Sequence, residues 1–263
     1  MKKKIYERLN SMIDSKEIGA LGTVVRGSSD ICPTGSKFLV DETGHNLVKE
    51  IKEPIFAMLK DFLPEIIKDK KPKVIQVVFD GVPYEIFIDP IYPQERLIIF
   101  GGGHIALPLV SIAKLLDYQV TVIDDRPSFA SPDRFPQADN VLCQDFTKAI
   151  REASFDRNTY IIIITRGHQH DKTCLEESLK QPQPAYIGMI GSKRKVYSLF
   201  QELRLSGCDE DRLDRVYAPI GLDIGAQTPE EIALSIMAEV VMVNHYGFSR
   251  GLKMKQEEEK VGC

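Results

Sequence analysis

Three consecutive glycines follow the apolar run Leu97–Phe100 and begin the part of the chain best suited to chemistry. Gly101, Gly102 and Gly103 precede a helical repeat of apolar residues, and a second apolar run then closes on Asp124. Gly101 suits a tight turn, Gly103 lets the backbone approach a pyrophosphate, and the helix N-terminus supplies unpaired N–H groups. Asp124 stands about 20 residues on, where an acidic side chain can take a ribose hydroxyl. This order predicts a βαβ unit that cradles a phosphate-bearing ligand.

Polar and charged side chains also follow the other predicted strands of the second half. The strand Tyr160–Thr165 leads into His168 and Asp171. The strand Tyr186–Ile190 leads into a glycine, a serine and three cations. Because ligands bind beyond the carboxyl ends of the strands in an open α/β sheet, we expect these segments to meet at one crevice. The predicted ligand-binding residues are Gly101, Gly102, Gly103, His104, Asp124, Arg126, His168, Asp171, Gly191, Ser192, Lys193, Arg194 and Asp223.

The segment Gly191–Lys195 is predicted to begin a helix with three cationic side chains. A helix N-terminus and neighbouring cations together attract phosphate, carboxylate or another oxyanion. We therefore predict a second anion site formed by Ser192, Lys193 and Arg194. The alternative is a solvated, basic beginning of a helix with no ligand.

The cluster of His168, His170 and Asp171 allows three interpretations. A spacing of two on a loop permits metal ligation without requiring it, and no third ligand is specified. The cluster can instead contact a ligand or transfer a proton, or Asp171 can simply cap a helix. Asp223 either lines the crevice or belongs to an irregular connection.

Two further loops have alternative interpretations. Asp125 and Arg126 either face the ligand or form a local ion pair that shapes the loop. The loop Gly27–Lys37 can hold a polar ligand or an anion, or can be an ordinary solvent-exposed loop. Within it, Cys32 is the candidate for thiolate chemistry, with a small buried hydrophobe as the alternative. The five cysteines form no Cys-x-x-Cys pair, so a structural zinc site is not predicted.

The pattern of elements changes near residue 95. Residues 1–95 combine helices, including a helical stretch Ile55–Ile67, with hairpin-like strands, which predicts a small α+β domain. From 96 to 263, short apolar strands alternate with helices, which predicts an α/β domain with a Rossmann-like parallel sheet. The segment DPIYPQER between them is interpreted as a linker, and Thr228-Pro229-Glu230-Glu231 predicts the N-terminus of the last helix.

Composition narrows the functional classes. Apolar residues at 43% and charged residues at 27% are ordinary for a soluble globular protein. The net charge of −4 argues against nucleic acid as the main partner. No apolar segment approaches the roughly 20 residues that span a bilayer, and no export signal is predicted at the start of the chain. With the odd cysteine count, these features predict a cytoplasmic protein.

On these motifs the chain resembles the XdhC/CoxI family, the accessory factors of molybdenum hydroxylases such as xanthine dehydrogenase. The resemblance covers nearly the whole second half through GGGHIALPLVSIAKLLDYQVTVIDDRPSFASPDRFP, TRGHQHDKTCL, YIGMIGSKRK and PIGLDIGAQTPEEIALSIMAEV. The first half is similar through GSSDICPTGSKFLV and YEIFIDP.

The resemblance implies a carrier rather than a metabolic enzyme, with no catalytic residue assigned. Such proteins bind molybdenum cofactor, as molybdopterin or its dinucleotide, protect it while a terminal sulfur ligand is installed, and insert it into an apo molybdenum hydroxylase. The implied partners are that hydroxylase, a cysteine desulfurase and a second copy in a homodimer. The alternative is an NAD(P)-binding oxidoreductase, in which Asp124 would favour NAD over NADP.

The chain departs from the family pattern in its first half. Phe79-Asp80-Gly81 stands where the family has Cys-Gly-Gly, and Asp30 and Ile31 replace the basic residue common after Gly-Ser-Ser. If those elements handle metal or sulfur, this chain binds differently or works with a separate partner protein.

Overall fold

The computed structural model describes residues 2–27 and 31–247. The chain divides into two compact units on either side of the bond between Pro93 and Gln94. The first unit contains a five-stranded sheet and the second a six-stranded parallel sheet. The predicted α/β class, with a Rossmann-like sheet in the second half, is confirmed.

The first unit packs three helices with an antiparallel sheet of order β3-β2-β1-β5-β4. Its elements are α1 (Lys2–Asp14), β1 (Gly19–Arg26), β2 (Lys37–Asp41), β3 (Asn46–Lys49), α2 (Glu53–Leu59), α3 (Leu63–Asp69), β4 (Lys73–Phe79) and β5 (Val82–Ile91).

Two sequence predictions for this unit are wrong. The single helical stretch is two helices, because α2 and α3 each begin at a proline-containing first turn. The predicted linker begins too early, since Asp89–Ile91 continue β5 opposite β1. On its other side β5 pairs with β4, and this pairing stops at Ile88. Pro90 therefore lies beyond the paired region on that side, where its missing N–H breaks no hydrogen bond between strands.

The polar loop of this unit does not expose a reactive thiol. Cys32 is fully buried in the apolar core. Burial raises the pKa of its thiol to about 11, which leaves it protonated at neutral pH. The interpretation of Cys32 as a small buried hydrophobe is therefore the correct one. Ser28, Ser29 and Asp30 of the same loop lie outside the described residues.

The second unit is a parallel sheet of order β11-β10-β9-β6-β7-β8 with helices between its strands. Its elements are β6 (Arg96–Phe100), α4 (Ala106–Leu115), β7 (Gln119–Asp124), β8 (Asn140–Cys143), α5 (Phe146–Glu152), β9 (Thr159–Ile163), α6 (His168–Lys180), β10 (Tyr186–Met189), α7 (Lys193–Leu205), α8 (Glu210–Leu213), β11 (Val216–Tyr217) and α9 (Pro229–Tyr246). This strand order is typical of dinucleotide-binding domains, in which the chain reverses direction across the sheet beside the first strand.

Both faces of this sheet are covered, which explains the unbroken apolar runs of its strands. Leu97 and Ile99 of β6 pack with α4 and α9 on one face. Ile98 and Phe100 pack with α5, α6 and α7 on the other.

The predicted start of the last helix is confirmed. The Thr228 hydroxyl accepts from the Glu231 N–H at 3.2 Å, and the Glu231 carboxylate accepts from the Thr228 N–H at 3.0 Å. These bonds form a capping box that fixes where α9 begins. Within residues 2–27 and 31–247, no helix is long and apolar enough to cross a membrane.

Candidate functional site

The candidate site lies at the carboxyl edge of the parallel sheet, where β6 and β9 are neighbours. Gly101–His104 follow β6, and Thr165–Gly167 follow the end of β9. Three helices, α4, α6 and α7, begin at this edge. The first turns of α4 and α6 have no side-chain cap, so N–H groups there remain available to a ligand.

The three glycines have different roles. Gly101 has φ +113°, and a Cβ there would lie 2.4 Å from the Ile164 carbonyl oxygen. A Cβ on Gly102 would lie 1.9 Å from the Phe129 carbonyl oxygen. These two positions therefore need glycine for close packing of the loop. A Cβ on Gly103 would meet no atom within 4 Å, so Gly103 borders the open space where a phosphate can approach.

Asp124 supports the glycine loop from inside the fold. Its side chain is 1% exposed. It accepts from the Gly102 N–H at 2.9 Å and from Arg126 through the backbone N–H at 3.0 Å, Nε at 2.8 Å and Nη2 at 3.0 Å. Burial acts to raise the pKa of Asp124, but the hydrogen bonds from Arg126 and Gly102 outweigh it and lower the pKa to about 2. Both carboxylate oxygens are thus committed to the protein.

A loop after β7 completes the support of Gly102. Arg134 donates from Nε to the Gly102 carbonyl oxygen at 3.0 Å. The Phe129 ring centre lies 3.6 Å from the Arg126 guanidinium carbon and 5.2 Å from that of Arg134. The Gly102 peptide is therefore fixed through both its N–H and its carbonyl group.

Two cavities share a wall at this edge of the sheet. The larger, about 380 Å³, is bordered by Gly103, His104, Arg126, Phe129, Thr165 and Arg166. We call it the glycine-loop cavity. The smaller, about 230 Å³, is bordered by Arg166, His168, Asp171, Met189, Ser192 and Lys195. We call it the α6–α7 cavity. Thr165, Arg166 and Ile190 line both.

Asp171 is the buried acid of the α6–α7 cavity. It is 8% exposed, and its Oδ1 accepts from the Thr165 hydroxyl at 2.6 Å and from the Thr165 N–H at 3.1 Å. Burial raises the pKa of Asp171, and the bonds from Thr165 offset this only partly. Asp171 lies in the first turn of α6, whose N-cap residue is Gly167, so the simple capping interpretation is wrong.

The comparison with known proteins bears on this second unit. The family model described as the XdhC Rossmann domain matches residues 97–240, more than half of the chain. The chain belongs to the XdhC family. The matched residues include both cavities and the loop that supports Gly102.

Three curated proteins are similar in sequence to this XdhC-family chain. The uncharacterized protein YqeB of Escherichia coli (strain K12) is 31% identical over 176 residues, 66% of this chain and 32% of YqeB. A probable xanthine dehydrogenase subunit of Bacillus subtilis (strain 168) is 35% identical over 156 residues, 59% of this chain and 45% of that protein. The molybdenum cofactor insertion chaperone PaoD of Escherichia coli (strain K12) is 25% identical over 151 residues, 57% of this chain and 41% of PaoD. The matched region is thus less than half of each relative.

A solved structure shows the same fold. The crystal structure of a xanthine dehydrogenase from Bacillus halodurans superposes with a TM-score of 0.53. It is 20% identical in sequence, and the match covers 90% of this chain and 94% of that one.

The cations of the XdhC-family site differ from those predicted. Lys193, Arg194 and Lys195 are all exposed, but only Lys195 lines the α6–α7 cavity, and Lys193 and Arg194 line neither cavity. Residues of a helix are about 100° apart around its axis, so one of three consecutive cations can face the cavity while the others face elsewhere. Ser192 lines the cavity and accepts from the Lys195 N–H at 3.4 Å. Arg166, which borders both cavities, lies three residues after the end of β9, and its position just beyond this strand was the signal that could have identified it.

The ion pairs at this edge differ from the local Asp125–Arg126 pair that was one of the two interpretations of the sequence. Asp125 pairs with Arg166 through two bonds of 2.9 and 3.0 Å, while Arg126 pairs chiefly with Asp124 and lies 4.0 Å from Asp125. Asp125 and Arg166 are 41 residues apart in the sequence, so the local spacing of residues could not predict this contact.

The remaining predicted residues are placed as follows. His104 borders the glycine-loop cavity and His168 the α6–α7 cavity, while His170 packs edge-on against Phe146. Asp223 is exposed in the loop before α9 and borders neither cavity. In the part of the chain that the structure describes, no three His, Cys, Asp or Glu side chains are grouped to hold a metal ion.

Proposed function

We propose that this chain binds molybdenum cofactor and delivers it to an apo molybdenum hydroxylase of the xanthine dehydrogenase type. The observation that supports this proposal most strongly is the pair of adjoining cavities, which are bordered by Arg126, Arg166 and Lys195. They lie close to the N-terminus of α4, which has no side-chain cap. The names of two relatives, a molybdenum cofactor insertion chaperone and a probable xanthine dehydrogenase subunit, support the same role.

The cofactor is an anionic pterin with a phosphate, and the site suits both features. A phosphate at the open Gly103 would face the N–H groups at the start of α4 and the positive end of its dipole. Arg126 and His104 border the same space. The cavity beyond Arg166 leaves room for a second, ring-shaped part of the ligand.

Each residue in this proposal binds, orients or supports. Asp124 and Arg134 fix the Gly102 peptide and so preorganise the phosphate site. Arg166 is held by Asp125 at the wall between the cavities. When bound, the cofactor supplies the molybdenum centre that the recipient hydroxylase uses, and the chain itself carries it as cargo.

The geometry argues against the NAD-binding alternative. In NAD sites, the acid at the end of the second strand accepts from a ribose hydroxyl. Here the corresponding carboxylate of Asp124 already accepts from four protein donors, and Arg126 covers it. A ribose would have to displace this arginine. The homodimer, the cysteine desulfurase and the cytoplasmic location stay predictions from the sequence.

Purification from molybdate-supplied cells tests the proposal. We expect molybdenum to co-purify with the wild-type chain, together with a pterin that becomes fluorescent when the purified sample is oxidised. Gly103→Asp should lose both, because it places a negative charge where the phosphate would lie, whereas the neutral Gly103→Asn should retain more. The open space at Gly103 lets both variants fold. Wild-type molybdenum and pterin contents no higher than those of an unrelated Rossmann-domain protein would refute the proposal.

A further inference from the structure

We propose that the α6–α7 cavity binds a 2-amino-4-oxopyrimidine ring and that Asp171 accepts a hydrogen bond from its amino group. This inference rests on the proposed function and assigns the two ends of the ligand to the two cavities. The ring would lie against α6 and α7, and the phosphate against the glycine loop and α4.

One carboxylate oxygen of Asp171 accepts hydrogen bonds from the protein, and the other accepts none from the described residues. Both bonds from Thr165 go to Oδ1. Among the described residues, no hydrogen bond is donated to Oδ2. Asp171 is 8% exposed and borders the cavity, so a ligand that displaces water from its second oxygen has to replace the lost hydrogen bond with a donor of its own. A ligand N–H group in the cavity would satisfy this oxygen.

The rest of the cavity matches the same ring. A 2-amino-4-oxopyrimidine presents two neighbouring donors, the amino group and the ring N–H, beside one carbonyl acceptor. The cavity offers the Asp171 carboxylate as acceptor and the Lys195 ammonium as donor, and Met189 and Val196 provide an apolar surface for a flat ring. Its volume of about 230 Å³ is below the roughly 300–1,000 Å³ of drug-sized sites and fits one part of a cofactor.

The shared wall allows one ligand to occupy both cavities. Thr165 and Arg166 border each of them, and Thr165 is also the residue that orients Asp171. A ligand whose ring lies beside Asp171 therefore extends along Arg166, and its phosphate lies at Gly103. This arrangement keeps the anionic end away from the buried carboxylate and next to the arginines.

Two sources can supply such a ring. Pterin carries it, and so does the guanine of a guanine-containing dinucleotide cofactor. Binding titrations with four small probes separate them: pterin against lumazine, which has an oxo group in place of the amino group, and guanosine against inosine, which lacks the amino group. Guanosine and inosine differ only at the amino group that Asp171 is proposed to recognise, and lumazine differs from pterin at that group and by a proton on the adjacent ring nitrogen.

We expect the wild-type chain to prefer the amino compound of one pair by about tenfold or more, the cost of leaving a charged acceptor unpaired. Asp171→Asn keeps an oxygen for Thr165 but presents an amide NH₂ to the cavity, so the preference should vanish or reverse. Glu177→Gln is the matched control, because Glu177 is a buried acid of the same helix that pairs with Arg151 and Lys180.

A preference for pterin or for guanosine that disappears in Asp171→Asn supports the proposal and identifies the source. Equal binding within both pairs by the wild-type chain overturns it, and this result needs no variant. If the chain then still co-purifies with molybdenum, only the ring assignment fails. If it discriminates the probes but never retains molybdenum or pterin, the proposed function fails and the chemistry of the cavity stands.

Discussion

The buried bonds of Asp124 predict a large and pH-dependent loss of stability in Asp124→Asn. The pKa of this carboxyl falls from 3.8 to about 2 because Arg126 and Gly102 stabilise its ionised form against the opposing effect of burial. A shift of this size corresponds to about 2 kcal/mol of folding free energy at pH 7. The variant keeps the shape of the side chain but loses the charge, so it should be less stable by about that amount.

The sign of the pH dependence follows from the lowered pKa. The stabilisation is present above the unfolded pKa of 3.8 and is lost as the pH falls toward about 2. The difference in unfolding free energy between wild type and Asp124→Asn should therefore be full at pH 7, about half at pH 3, and small near pH 2. Urea titrations followed by circular dichroism at several pH values measure it.

Asp125→Asn is the matched control for this prediction. Asp125 is the next residue in the chain, but its partner Arg166 and its own side chain are more exposed. The cost of losing a partly exposed pair is about 1 kcal/mol or less. Equal urea midpoints for Asp124→Asn and wild type at pH 7, or a difference that does not change with pH, would refute the argument that Asp124 supports the glycine loop as an ionised group.

Three further predictions concern the cations, the buried acid and the last helix. Lys195→Ala should reduce retention of the molybdenum cofactor about tenfold, measured as molybdenum per chain, whereas Lys193→Ala should change it little because Lys193 borders neither cavity. Burial raises the pKa of Asp171, and its ionised form accepts from the amino group of the ring. Affinity for the preferred amino probe should thus weaken as the pH falls through that raised pKa in wild type, but not in Asp171→Asn. Thr228→Ala should cost about 1 kcal/mol in urea unfolding through the lost cap, and an unchanged midpoint would show that the cap does not stabilise α9.

Local patterns in the sequence were sufficient for the βαβ unit and for the start of α9, but they did not predict the short α8 and β11. The apolar run before Gly101 and the glycines themselves predict the βαβ unit, and Thr228 with Glu231 predicts the start of α9, because each signal lies within a few residues. The prediction that the site lies at the carboxyl edge follows from the alternation of strands and helices, which indicates an open α/β sheet.

Side-chain partners across the sheet could not be predicted in this way. The position of Asp124 in the sequence is typical of a ribose-binding acid. In the structure its carboxylate instead accepts from the N–H of Gly102, 22 residues away, and supports the loop. Spacing cannot say that Lys195 faces the cavity while Lys193 does not. That distinction depends on the orientation of α7 about its own axis relative to β10.

Transfer of the cofactor tests the central claim most directly. Wild-type chain purified with bound molybdenum would be mixed with an apo hydroxylase of the xanthine dehydrogenase type, and both the molybdenum bound to the hydroxylase and its activity would be followed. The Gly103→Asp variant and an unrelated Rossmann-domain protein, each prepared in the same way, serve as controls. We predict that only the wild-type chain activates the hydroxylase, with molybdenum lost from the chain equal to that gained by the enzyme. Activation no greater than with the controls would contradict the account.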